Sequence, residues 1–260
     1  MDGLRIDDAL VRWAVDGRAA SAEAAVAALA ERPLLLLMHG YGSFEGDLIE
    51  LSSRLPAGFV CASPRAPLVA PPPVVDGYAW WQIALDEHGL RAQVPAPADF
   101  VGGPEHRAAS VVLDWLDALG DRVADRSAAT TTTTTNAAAD LAGLGTIALM
   151  GFSQGGALVT SLLRLRPGRF ACGVNCSGFV AAGRFAGDEE LARIRPPMFW
   201  GRDEADPVID AERIALTRAW APAHTELDAR LYDGILHGIG AEELADVSAF
   251  LARHVPEAAR

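Results

Sequence analysis

One short stretch carries a strong chemical signal: Gly151-Phe152-Ser153-Gln154-Gly155, which follows the apolar run Ile147 to Met150 and precedes a helical pattern. In a strand-turn-helix hairpin the serine is held at the tip in strained backbone geometry. The glycines two before and two after it let strand and helix pass closely. A plain helix cap is the competing reading of these five residues. A serine hydroxyl is a poor nucleophile until a base takes its proton, so the reading requires a histidine and an acid to orient it. Of the six histidines, His237 lies in Tyr232-Asp233-Gly234-Ile235-Leu236-His237-Gly238, after the last expected strand and before the last helix. That position puts it at the carboxyl edge of a sheet, beside the serine turn. The acid is expected in the loop after the preceding strand, where Asp203, Glu204 and Asp206 compete. Asp206 is the choice, because Pro207, Val208 and Ile209 follow it and can fix the turn and shield the carboxylate. Asp203 and Glu204 are expected to be solvated.

A tetrahedral oxyanion needs donors as well. The backbone N–H of Gln154, at a helix N-terminus, is one candidate. The N–H of Tyr41 in His39-Gly40-Tyr41-Gly42 is the other, since glycine on either side lets that backbone approach a substrate oxygen. His39 itself reads as a buried, hydrogen-bonded brace.

These residues need a scaffold that brings the ends of several strands together, and the hydrophobic pattern supplies one. Continuous or nearly continuous apolar runs at 34–38, 59–62, 146–150, 171–176 and 197–200, with a further strand at 226–232, alternate with helical patterns at 46–54, 105–119, 155–165, 210–220 and 241–254. This rhythm predicts an α/β fold with a mostly parallel central sheet flanked by helices on both faces. Ligands in such sheets bind beyond the carboxyl ends of the strands. Residues 31–256 are expected to form a single domain, preceded by a peripheral segment at 1–30 in which residues 4–15 form an edge strand or hairpin. Two stretches break the rhythm. The segment from Pro64 to Pro104 is rich in proline and glycine and carries Tyr78, Trp80 and Trp81, as in an irregular loop near a pocket. The segment 127–140, with six consecutive threonines from Thr130 to Thr135, reads as a low-complexity surface insertion.

Composition narrows the function classes. The formal charge is −12 and no basic block is present, which argues against nucleic acid and anionic membranes as partners. The chain has no lysine, so all 22 basic residues are arginine. Schiff-base chemistry, an internal pyridoxal linkage and a P-loop are thereby excluded. Cys61, Cys172 and Cys176 are too few and too oddly spaced for a disulfide framework or a zinc knuckle, so buried thiols are expected. Aspartates at positions 2, 7 and 8 stand where a secretory signal needs positive charge, and no apolar run is long enough to span a membrane, so a cytoplasmic protein without stable membrane insertion is expected. Gly143-Leu144-Gly145 precedes a strand where a nucleotide-binding glycine turn follows one.

Taken together, the motifs resemble those of the phospholipase/carboxylesterase group of α/β-hydrolases, which includes the acyl-protein thioesterases. The matching pieces are Leu37-Met38-His39-Gly40-Tyr41-Gly42 with Glu45 and Asp47-Leu48, then Ser63-Pro64-Arg65-Ala66-Pro67 and Gly77-Tyr78-Ala79-Trp80-Trp81. They continue with Gly151 to Gly156, Asn175-Cys176-Ser177-Gly178, Asp206-Pro207-Val208-Ile209 and Gly234 to His237. The resemblance implies an α/β-hydrolase fold without a separate cap domain and a serine hydrolase acting on small-molecule carboxylic esters or thioesters, an ester-hydrolase activity with no cofactor and no metal. It assigns Ser153 as nucleophile, His237 as base, Asp206 as orienting acid, and the N–H groups of Tyr41 and Gln154 as the oxyanion hole. The acid loop carries extra residues, Arg202 to Ala205, relative to the compact turn usual in the family, which keeps Asp203 in competition. Tyr78, Trp80 and Trp81 are expected to line an apolar acyl site, with ordinary core packing as the alternative. A catalytically silent binding protein on the same fold is the rival function, and the sequence does not fix an oligomeric state.

Overall fold

The run Leu34-Leu35-Leu36-Leu37-Met38 has apolar side chains at every position, so both faces of the strand it forms must be covered. The computed structural model, which describes residues 3–83, 102–130 and 143–259, shows how. Ten strands occur among the described residues: β1 (Arg12–Val15), β2 (Arg18–Ala20), β3 (Leu34–Met38), β4 (Val60–Ser63), β5 (Leu68–Val69), β6 (Tyr78–Ala79), β7 (Ile147–Phe152), β8 (Cys172–Cys176), β9 (Pro197–Arg202) and β10 (Glu226–Leu231). Eight of them form one sheet in the order β10-β9-β8-β7-β3-β4-β1-β2, and β5 with β6 forms a separate hairpin. From β4 to β10 every pairing is parallel, while β1 is antiparallel to both β4 and β2. Residues 1–30, expected to be peripheral, thus supply the two strands at one edge of the sheet, with Trp13 buried there.

The helices are α1 (Ala22–Ala28), α2 (Pro104–Thr130), α3 (Gln154–Leu165), α4 (Asp188–Ile194), α5 (Ala211–His224) and α6 (Ala241–His254). Leu34, Leu36 and Met38 pack with residues of α2 and α3, including Val112, Leu116, Leu158 and Leu162. Leu35 and Leu37 pack on the opposite face with Val247, Phe250 and Leu251 of α6. Each such leucine, fully withdrawn from water, contributes about 1.5–3 kcal/mol of transfer free energy. The expected helix at 46–54 is a 3-10 helix, Leu48–Arg54. No helix among the described residues is long and apolar enough to cross a membrane.

The expected end of α2 at Leu119 is corrected, since the helix continues through Gly120 to Thr130. Leu116, Leu119 and Val123 extend its buried stripe past the glycine. Gly143 packs so closely that a Cβ there would lie 1.8 Å from the Gly120 carbonyl oxygen. Tertiary burial outweighs a helix-propensity cost of about 1 kcal/mol for glycine. The start of the expected insertion, residues 127–130, is therefore helical, and its remainder lies outside the described residues, as does 84–101 of the proline-rich segment.

Glu243, in the first turn of α6, is fully buried. It lies on β9 so tightly that a Cβ at Gly201 would come within 2.2 Å of its Oε1. Burial pushes its carboxyl up to about 7, and the Cys176 thiol and the Gly240 N–H, which favour the charged form, offset this only in part. A carboxyl held above its ordinary value of 4.5 destabilises the fold progressively as pH rises from that value to about 7, because the unfolded chain then releases a proton that the folded chain retains. In Glu243→Gln that penalty is absent. Urea unfolding across pH should show the variant gaining on the order of 3 kcal/mol relative to wild type between about pH 5 and about pH 8.

Candidate active site

The strand ends that carry the candidate residues meet at one edge of the sheet. Ser153 stands between the last residue of β7 and the first of α3, at φ 54° and ψ −112°. A non-glycine residue with positive φ is held against local strain. Here the Ser153 N–H donates to the Cys176 carbonyl at 2.9 Å, and its own carbonyl accepts the Ala157 N–H at 3.1 Å. The turn works because the residues two before and two after the serine lack side chains. A Cβ at Gly155 would lie 1.8 Å from the Met38 carbonyl oxygen, and one at Gly151 would lie 2.1 Å from the Gly155 carbonyl oxygen. Glycine at these two positions therefore lets α3 start directly against the end of β3.

A hydrogen-bond relay runs from this serine. His237 Nε2 lies 3.0 Å from Ser153 Oγ, and His237 Nδ1 lies 2.9 Å from Asp206 Oδ2. An ionised carboxylate only accepts, so Nδ1 carries the proton and Nε2 is left to accept from the serine hydroxyl. The Asp206 side chain is 0% exposed, and its second oxygen accepts the N–H groups of Val208 at 2.8 Å and Ile209 at 3.3 Å. The turn after Pro207 thus fixes the carboxylate from behind. Phe152 packs on the imidazole at 4.9 Å between ring centroids. Ser153 retains 8% exposure.

Asp203 departs from the sequence reading. Expected in solvent, it is 2% exposed. Its Oδ1 accepts the Ala205 N–H and its Oδ2 the Leu236 N–H, both at 2.8 Å. These backbone donors hold its carboxyl below the usual carboxylate range. Leu236, immediately before His237, has φ 53°. Asp203 therefore clamps the strained start of the histidine loop to the acid loop, a long-range role that local composition does not reveal. Glu204 is solvated as expected, 3.8 Å from Arg218.

Gly40 lies against the serine turn, where a Cβ would be 3.0 Å from the Phe152 ring and 3.4 Å from Ser153 Cβ. The Gly42 N–H donates to the Tyr78 carbonyl and the Tyr78 N–H to the Ser43 carbonyl, each at 2.8 Å, which ties this loop to β6. Tyr41 lies between these two anchored glycines, and among the described residues no acceptor takes its N–H. Gln154 opens α3, so its N–H has no acceptor within the helix. His39 is buried, with Nδ1 2.8 Å from the Gly40 carbonyl and Nε2 accepting the Ala66 N–H at 3.1 Å. Burial lowers its pKa and keeps it a neutral brace.

The aromatic residues sit in supporting positions. Trp80 and Trp81 are buried, and Trp80 Nε1 donates to the His39 carbonyl at 2.9 Å. The Gln154 side chain joins both, accepting the Trp80 N–H at 3.0 Å and donating to the Trp81 carbonyl at 2.8 Å. Tyr78 receives Arg65 Nη1 on its hydroxyl at 3.0 Å, while Arg65 grips buried Glu45 with two bonds of 2.6 Å. Burial opposes ionisation of Glu45, but this bidentate pair holds its carboxyl below its ordinary value. These contacts anchor the loop from His39 to Ser43 and the serine turn to the hairpin. Among the described residues, no three His, Cys, Asp or Glu side chains group as a metal site would require. All three cysteines are buried and unpaired, and burial pushes Cys61 and Cys172 up to about 12.

A family model described as Phospholipase/Carboxylesterase matches residues 122–255. Among solved structures, a carboxylesterase from Mesorhizobium loti is 20% identical with a TM-score of 0.61, the match covering 87% of this chain and 91% of that one. Esterase PE8 is 23% identical with a TM-score of 0.59, covering 88% of this chain and 95% of that one. A phospholipase/carboxylesterase from Dyadobacter fermentans is 16% identical with a TM-score of 0.55, covering 96% and 98%. At these identities the likeness establishes a shared fold. The comparison with curated proteins gives no match.

Proposed function

The chain belongs to the phospholipase/carboxylesterase family of α/β-hydrolases, and from that premise we propose that it is a serine hydrolase cleaving carboxylic esters or thioesters through an acyl-enzyme. The observation that carries this reading is the unbroken relay from Ser153 Oγ through the His237 ring to Asp206, set on a strained turn.

In this mechanism Ser153 Oγ attacks the substrate carbonyl carbon while His237 Nε2 takes the hydroxyl proton. Asp206 keeps the imidazole in the accepting tautomer and stabilises the imidazolium that forms. The carbonyl oxygen becomes an oxyanion, held by the N–H groups of Tyr41 and Gln154. Each preorganised donor of this kind contributes about 2.7–4 kcal/mol to the transition state. Collapse of the intermediate breaks the bond to the leaving alcohol or thiol, which receives the proton from His237. Water then repeats the cycle on the acyl-serine and regenerates the enzyme. Tyr78, Trp80 and Trp81 contribute to substrate binding by shaping the loop beside the serine, since their contacts hold the backbone of that loop.

The test is hydrolysis of p-nitrophenyl esters of increasing acyl length by the purified chain. The reading predicts p-nitrophenolate release that saturates with substrate, and a rate profile that reports how long an acyl chain the site accepts. Absence of turnover across the whole series by folded protein would overturn it.

A further inference from the structure

The two ends of the eight-stranded sheet are not alike. At one end β2 is three residues long, a short strand of the kind that resists edge-to-edge pairing. At the other end β10 is six residues long, contains no proline, and has no strand beyond it among the described residues. The N–H groups of Glu226 and of Tyr232, which follows the strand, donate to the carbonyls of Pro196 and Arg202, each at 3.0 Å. Even-numbered residues therefore turn their backbone groups toward β9. By strand alternation the N–H and C=O groups of Leu227, Ala229 and Leu231 point outward, a template for one more strand. Side chains do not screen it, since Ala229 is exposed and Leu231 is 54% exposed.

The side chains of β10 are self-complementary. Leu227, Ala229 and Leu231 share one face with Trp200, whereas Asp228 and Arg230 lie on the α6 face, where Arg230 pairs with Asp228 and Asp246. Read from either end, residues 227–231 run leucine, charge, alanine, opposite charge, leucine. A second copy related by a two-fold axis perpendicular to the sheet would lie antiparallel, and the ladder forms only with an outward-pointing residue on the axis. Leu227 on the axis would set Glu226 against the partner's Asp228, two like charges. Leu231 on the axis would leave Asp228 without an opposing charge. With Ala229 on the axis, Asp228 faces the partner's Arg230 and Arg230 faces the partner's Asp228, while each Leu227 faces a Leu231. Opposite charges across a ladder stabilise it and like charges destabilise it.

We propose that β10 is a homodimer interface, in which the strand pairs antiparallel with β10 of a second copy about a two-fold axis at Ala229 and joins the two sheets into one. The paired strands run in opposite directions, so the two serine turns open on opposite edges of the joined sheet. The proposal stands apart from the hydrolytic reading, and association is measured without ester turnover.

Sedimentation velocity at tens of micromolar chain tests it on wild type and three variants. Ala229→Pro removes an outward N–H and none of the bonds to β9, a position where an edge strand tolerates proline. Asp228→Arg and Arg230→Asp each place like charges across the axis. Wild type should sediment as a dimer. Ala229→Pro, which loses both central hydrogen bonds of the ladder, should associate about 100-fold more weakly. Each charge reversal alone should weaken association about 10-fold or more, and mixing the two singly reversed chains should restore a dimer, because the opposed charges are again complementary. Thermal unfolding shows which variants are folded. Because Arg230→Asp crowds Asp228 and Asp246 and risks misfolding, Ala229→Pro and Asp228→Arg decide the matter without it. A monomeric wild type, a dimer undiminished in Ala229→Pro or Asp228→Arg, or folded reversed chains that fail to associate on mixing would overturn the proposal.

Discussion

Ser153→Ala is expected to lower kcat for p-nitrophenyl ester hydrolysis by about a million-fold, with KM changed little. The alanine keeps the turn, since the φ of 54° at this position is imposed by the Cys176 and Ala157 hydrogen bonds and by the close-packed glycines, none of which involves the hydroxyl. What is lost is the nucleophile alone. His237→Ala should cost about as much, because a hydroxyl without its base does not attack. The informative variant is the double one. The two groups act as a unit through a single 3.0 Å contact, so removing both should cost scarcely more than removing either. The residual rate above the uncatalysed reaction would then come from the donors of Tyr41 and Gln154. Steady-state kinetics on the three variants, with thermal unfolding to show that each is folded, checks this. Additive losses would mean that Ser153 and His237 serve different steps.

Asp206→Asn should lower kcat by about ten-thousand-fold. The geometry dictates how the asparagine sits. Asp206 Oδ1 accepts two backbone N–H groups, from Val208 and Ile209, so the amide oxygen stays there and the amide NH2 faces His237 Nδ1. The imidazole then accepts at Nδ1 and carries its proton on Nε2, where it can no longer receive one from Ser153. Asp203→Asn is a different experiment. Its two oxygens accept only backbone N–H groups, from Ala205 and Leu236, and an amide can serve one of them but not both. The orphaned donor costs about 1–3 kcal/mol and loosens the approach to His237, so the expected loss in kcat/KM is about 10- to 100-fold. Measuring kcat/KM for both variants side by side distinguishes the two carboxylates, and a larger loss in Asp203→Asn would reverse their assignment.

The sequence made some of this legible and concealed the rest, for physical reasons. Apolar runs such as Leu34 to Met38 and Ile147 to Met150 marked the central strands, because a strand buried on both faces has no polar alternative. The glycines around Ser153 marked the turn, because the backbone there passes at distances no Cβ tolerates. Asp203 was misread as solvated because its partner, Leu236, is 33 residues away and offers only a backbone N–H, which leaves no trace in side-chain type. The run of α2 past Gly120 was hidden for a similar reason, as the packing of Gly143 against it is a tertiary fact. Trp80 and Trp81 left two readings open. Their contacts with His39 and Gln154 explain why large aromatics stand beside the serine turn while remaining buried. Glu243 drew no attention in the sequence, since a glutamate in the first turn of a helix is ordinary until the glycine beneath it is known.

The central claim is that Ser153 is an activated nucleophile, and covalent labelling tests it most directly. A fluorophosphonate incubated with the native chain, followed by peptide mass mapping, should place a single adduct on Ser153. Labelling should be absent in folded Ser153→Ala and greatly slowed in His237→Ala. An unlabelled native protein, or an adduct on another residue with Ser153 unmodified, would contradict the account and favour a catalytically silent protein on the same fold.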